Sequence, residues 1–152
     1  AIIGLLSSVV FASLNSARQK AAWAAAQAEM KEIEKLITIA QGESGKILRQ
    51  ITGSPCSRCV CSGNLKNTTG QCYLRWTTAL SGIESNLGGV ASGVIHFDRD
   101  PWGSPYLLDE NEGENSNNPC IRDFLTTAGP DGVWPSGDDY TIGLPFVSPQ
   151  CS

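Results

Sequence analysis

The stretch TTAGPDGVWPSGDDY (126–140) places three carboxylates, Asp131, Asp138 and Asp139, in a segment bent by Gly129, Pro130, Gly132, Pro135 and Gly137. Like charges held that close repel unless something neutralises them. A hard cation does so naturally: Ca2+ takes about 6 to 8 oxygen ligands in flexible geometry, so three carboxylates with a few carbonyls and waters suffice. The D-x-D-x-D-G spacing of an EF-hand is absent. A solvated turn stands beside the calcium reading, because Asp and Gly also populate ordinary turns.

Six cysteines, at 56, 59, 61, 72, 120 and 151, form the second reactive set. Their density in a small domain points to an oxidising compartment and disulfides. The competing reading is a metal, since the first four spell C-x2-C-x-C-x10-C. That is a poor zinc pattern: the second pair is not another C-x2-C knuckle, and the tight Cys59-Val60-Cys61 step strains a tetrahedral site. Six cysteines allow fifteen pairings. Cys120 with Cys151 is the one expected, because both lie far from the first cluster and the bond would tie down the C-terminal tail.

Catalytic constellations are weak. His96 is the single histidine, and six oxidised cysteines leave no thiolate to pair with it, so a structural role is expected. GESGK (42–46) fails as a P-loop: Ala40 stands where the first Gly belongs, Ile47 follows the Lys, and a helix precedes it. Asp98 and Asp100, two apart, suit neither glycosidase geometry. The chain is read as a non-enzyme. Trp102 and Pro101 are expected in core and turn, and Trp134 over the acidic loop or against a neighbour.

The elements that must carry these residues follow from composition. With 152 residues, 41% hydrophobic and 17% charged, the chain has the makings of one globular domain plus an appendage. Residues 96–152 hold two basic and ten acidic side chains, against nine basic and five acidic before them. Such an acidic end excludes nucleic acid as the expected partner and suits a cation or a basic patch.

From Ala1 to about Gln41 there is no Pro, and Trp23, Ala26, Met30, Ile33, Ile37 and Ala40 recur at helical steps. One helix is expected over 1–41, roughly 60 Å long and so half protruding, with Gly42 as its stop. The head, 42–152, is expected to be α+β: a short helix at KILRQI (46–51), strand or short-helix material in CYLRWTTAL (72–80) and GGVASGVIHF (88–97), and an antiparallel sheet including WGSPYLLD and FLTTAG. NEGENSNNP (111–119) reads as a polar loop without core residues.

The first seventeen residues carry no charge. A signal peptide is disfavoured by the missing basic start and by an apolar run expected to continue in helical phase into Trp23 and Met30. As a membrane span the run is slightly short and polar. A helix sheltered by copies of itself fits better, its serines allowing close approach, with a membrane as its earlier holding place.

AIIGLLSSVVFASLNSARQKA closely resembles the second part of the N-terminal helix of type IV pilins and type II secretion pseudopilins. The Phe-Thr-Leu-Ile-Glu-Leu-type segment of that family is expected just upstream of the given sequence. DPWGSPY (100–106) is similar to the family's DPWGNPY-like signature, and 126–140 to its calcium loop. The resemblance implies a pilin-like fold, with a long protruding helix packed on a small, disulfide-bonded antiparallel head. It implies Asp131, Asp138 and Asp139 as calcium ligands, with Tyr140 standing where an apolar β-branched residue is common. It implies a homo-oligomeric helical filament at the cell surface, an inner-membrane intermediate and partners in a pilus assembly machinery. The alternatives are a periplasmic pseudopilin and a membrane-anchored calcium-dependent binding module.

Overall fold

A computed structural model describes residues 2–89 and 94–152. Residues 90–93, the middle of the GGVASGVIHF segment, lie outside the described residues; Val94–Phe97 forms a 3-10 turn. Helix α1 (Ile2–Ser44) spans 43 residues, or about 65 Å at the standard rise. It passes through Gly42, the expected stop. Termination falls at Gly45, whose φ of +67° turns the chain left-handed while its N–H donates to the Gln41 carbonyl at 2.8 Å. A glycine ends a helix only where the chain makes that turn.

The expected stripe is the buried face of α1: Ala26, Met30, Ile33, Ile37 and Ala40 are covered, with Leu36 beside them. They pack on α2 (Leu48–Thr52), where the short helix was expected, and on α4 (Gln71–Ser85). Between these two lies α3 (Ser57–Val60). CYLRWTTAL is thus the start of a 15-residue helix. Cys72, Trp76, Ala79, Leu80 and Ile83 fall on its buried face at the helical period, not at a strand's period of two. Gly82 lets α4 touch α2 directly: a Cβ there would stand 2.5 Å from the Ile51 carbonyl oxygen.

Strands β2 (Leu107–Asp109), β3 (Phe124–Thr127) and β5 (Tyr140–Gly143) form an antiparallel sheet in the order β2-β3-β5. The register aligns Leu108, Leu125 and Ile142, and that row packs into the cluster beneath α1 and α4. Leu107 points the other way and joins Cys61, Leu65, Cys72 and Ala128 in a smaller cluster, as alternation along a strand requires. β1 (Gly63–Asn64) pairs with β4 (Val133–Trp134). The fold is α+β, a long N-terminal helix on small antiparallel sheets.

All six cysteines are paired, as Cys56–Cys59, Cys61–Cys72 and the expected Cys120–Cys151. The zinc reading of 56, 59, 61 and 72 as one four-sulfur site therefore does not hold in the oxidised chain.

Candidate functional site

Three parts of the molecule have chemistry to offer. The first is the bare half of α1, where every side chain from Leu6 to Ala21 is exposed. Leu6, Val9, Val10, Phe11 and Leu14 are 47–72% accessible. At about 100° per residue these five centre about 170° round the helix from Ala26, Met30, Ile33 and Ile37. They are not in phase with Trp23 and Met30, contrary to expectation. The bare apolar band looks away from the head.

Among the described residues no helix is long and apolar enough to cross a membrane. This overturns the expected inner-membrane partner and the localisation that included an inner-membrane stage. The physical reason is dilution: Ser7, Ser8, Ser13, Asn15 and Ser16 interrupt the apolar run before Arg18 and Lys20 end it.

The second part is the acidic loop, which gathers the three aspartates named from the sequence. Asp138 Oδ2 accepts the Asp131 N–H at 3.1 Å, and Ser136 lies between the other pair, its hydroxyl donating to Asp138 at 2.7 Å and its N–H to Asp139 at 2.6 Å. Gly129, at φ +68°, is required here because a Cβ would stand 2.5 Å from the Asp138 carbonyl oxygen. The Val133 N–H on Asp131 Oδ1 holds that carboxyl below the ordinary range, and Lys66 assists. Partial burial pushes the Asp139 carboxyl up; the Ser136 bonds oppose the rise, and the charges of Asp138 and Asp131 add to it. Trp134, expected over the loop or against a neighbour, is half-buried on the smaller core cluster beneath the Arg58 guanidinium, 5.0 Å from its ring centre.

DPWGSPY is the plate on which α1 rests. Asp100 Oδ1 accepts the N–H groups of Trp102 and Ser104, both at 3.0 Å, and Oδ2 accepts the Thr127 hydroxyl at 2.7 Å. Burial still raises its carboxyl above the usual range. The tight turn so formed presents Trp102 edge-on to Trp23 of α1, ring centres 5.0 Å apart, with Tyr140 on Trp23 at 6.4 Å. Tyr106 donates its hydroxyl to Glu29 of α1, and burial pushes its phenol far upward. Asp98 accepts the Tyr73 hydroxyl at 2.8 Å.

Sequence reasoning missed the buried acids. Glu110, Glu112 and Asp123 are each at most 2% exposed. Glu112, in the loop thought to lack core residues, accepts the Val147 and Ser148 N–H groups. Glu110 accepts the Thr52 hydroxyl and the Cys56 N–H, and burial pushes it up to about 7. Asp123 Oδ1 accepts the Asn111 and Glu112 N–H groups, yet Oδ2 is buried without a partner, and the carboxyl is pushed up to about 6, again by burial.

The third part is a Cys/Cys/Asp group that could coordinate a metal ion. Cys56, Cys59 and Asp109 bring one ligand atom each to within 4.8 Å of one another. Nothing in that donor set selects Ca2+, which prefers oxygen.

Compared with known proteins, the chain matches no family model, no curated protein and no solved structure.

Proposed function

We propose that the chain is the structural subunit of a pilin-like helical filament whose copies bundle through the bare half of α1. The observation that carries this is the phase reversal along one helix: below Trp23 the apolar side meets its own head, and above it the apolar side faces away. A bundle of such helices puts five large apolar side chains per copy inside and leaves the heads outside. The contact is heterologous and does not close, so it propagates. Removing such side chains from water is worth roughly 1.5 to 3 kcal/mol each when fully buried. The motif resemblance in the helix and in DPWGSPY points the same way, and a short pseudopilus would use the same contact.

Asp131, Asp138 and Asp139 then hold Ca2+ on the head. The support is local: three carboxylates share one turn, and the charges of Asp138 and Asp131 add to the rise that burial gives Asp139. A divalent ion would offset those charges.

Electron microscopy of the purified chain tests the assembly. Ordered fibres should form from the wild type and be lost in Val10→Asp, whose head melts unchanged. Discrete particles from the wild type, or unaffected fibres in Val10→Asp, would sink the reading. Fibre length separates a pilus from a short pseudopilus. For the ion, chelation should lower the melting temperature of the head and added Ca2+ restore it; indifference to both removes the calcium claim alone.

A further inference from the structure

The Cys56–Cys59 bridge differs from the other two disulfides in ways that matter for its chemistry. Cys59 is exposed, whereas Cys61 and Cys72 are buried. The bridge spans a sequence separation of 3, against 11 and 31 for the others. A short loop adds the least chain-entropy resistance to opening, and an exposed sulfur is the one a reductant reaches.

Around this bridge a third donor is already fixed. Asp109, at the end of β2, points Oδ1 at Cys56 Sγ across 3.6 Å, and the sulfur, bonded to Cys59, has no proton to donate. The other carboxylate oxygen is held by Arg58 at 3.2 Å. The Cys56 N–H is held by the buried Glu110 at 3.1 Å. Neither tie involves the disulfide, so both persist when it opens. With Zn–S about 2.3 Å and Zn–O about 2.1 Å at a tetrahedral angle, the sulfur-to-oxygen edge is about 3.6 Å. The distance already present is that edge.

We propose that Cys56–Cys59 is a redox gate over a metal site: once reduced, Cys56, Cys59 and Asp109 bind a thiophilic divalent cation of the zinc type, leaving a fourth position to water. A dithiol reductant opens the gate. Its thiolate attacks Cys59 Sγ, the Cys56 thiolate leaves, and the reductant's second thiol closes its own disulfide and releases Cys59. Two electrons and two protons pass to the protein. The cation then displaces both thiol protons, with the Arg58 charge favouring the thiolates, and the C-x2-C spacing lets the sulfurs spread to the tetrahedral edge. This inference does not depend on the filament reading.

The test uses the full chain treated with a water-soluble phosphine, which takes up the oxygen of one water and leaves two thiols. Mass spectrometry of alkylated peptides reports which bridges have opened, and Co2+ serves as the probe. Reduced chain should bind about one Co2+ with thiolate-to-cobalt charge-transfer absorption that Zn2+ abolishes, and oxidised chain should show no such band. Asp109→Asn should weaken Co2+ at least tenfold, and Cys56→Ser with Cys59→Ser should remove the band. A chain with free Cys56 and Cys59 that shows no band overturns the proposal. So does an equal band in the double variant under the same treatment, which covers the case in which other bridges open as well.

Discussion

The two halves of α1 are one unbroken helix with opposite fates. From Ala26 to Ala40 its apolar residues are sealed by α2, α4 and the DPWGSPY plate. From Leu6 to Leu14 its apolar residues are in water. Both halves are free of Pro, but the bare half, with Ala12 alone among serines and valines from Leu6 to Leu14, is the weaker helix former. Burial distinguishes them further, and an isolated helix of the bare half's length is marginal in water. The lower half is stabilised by its own head; in the proposed filament other copies would cover the upper half.

The sharpest way to break that comparison is to cut one residue from each half. Ile37→Ala empties a fully buried position and should cost about 2 to 5 kcal/mol, read as a lower urea midpoint of the head. Phe11→Ala removes the most exposed of the five. It should leave that midpoint where it was and shift the concentration needed for fibres upward. Hydrogen exchange gives the same contrast without mutation: amides above Trp23 should exchange fast in monomer and slowly in fibres, those below it slowly in both. Equal protection above and below Trp23 in the monomer would end the argument.

Proton binding sharpens it next. Residues 4–21 contain no carboxylate, whereas the head buries Glu110 and Asp123, pushed up to about 7 and about 6. A carboxyl raised in the fold binds protons the unfolded chain has already lost. Its stability contribution is therefore complete below the ordinary carboxylate range and is lost as pH rises through 6 to 7, on the order of 3 kcal/mol for Glu110. The head should be more stable to urea at pH 5 than at pH 8, the reverse of ordinary acid denaturation. Asp123→Asn keeps the acceptor for the Asn111 and Glu112 N–H groups while removing the charge from the unpartnered oxygen. It should gain about 1 to 2 kcal/mol at pH 8 and flatten the pH slope. A head equally stable at both values contradicts the burial account.

What was legible in the sequence follows the same division. The stripe from Ala26 to Ala40 is visible because one period of 3.6 runs through it undisturbed, and Cys120–Cys151 because no other sulfur lies near. The phase reversal was written there too, in the spacing of Leu6, Val10 and Leu14, but an unbroken helix suggests an unbroken stripe. The length of α4 was hidden by Thr77-Thr78, which suit a strand equally; its helical state is fixed by distant contacts, the Trp76 indole N–H on the Phe97 carbonyl at 2.9 Å and Gly82 against Ile51. The fates of Glu110, Glu112 and Asp123 were invisible, because the backbone groups that solvate them come from as far as 54 residues away. Asp131, Asp138 and Asp139 share one hydrogen-bonded turn, but among the described residues the group whose ligand atoms lie close enough for one ion is Cys56, Cys59 and Asp109. Asp109 was not singled out, because nothing in the sequence shows that β2 ends beside Cys56.

The smallest expected effect sits at the seam between the halves. Tyr106 reaches Glu29 from the end of DPWGSPY, nearly two turns of helix below Trp23, and its hydroxyl is a polar fastening beside the aromatic contact. Tyr106→Phe keeps the ring in the core and against Trp76, ring centres 5.9 Å apart, and deletes that one bond. The loss should be about 1 to 2 kcal/mol, since a partly covered carboxylate is left without its donor. A double-mutant cycle with Glu29→Gln isolates the coupling from other consequences of either change. A coupling near zero would mean that apolar packing alone holds the helix at the seam. If the coupling is real, the cost appears in the urea midpoint of the head, while fibre formation through Leu6 to Leu14 proceeds as before, because that surface begins about four turns further along the helix.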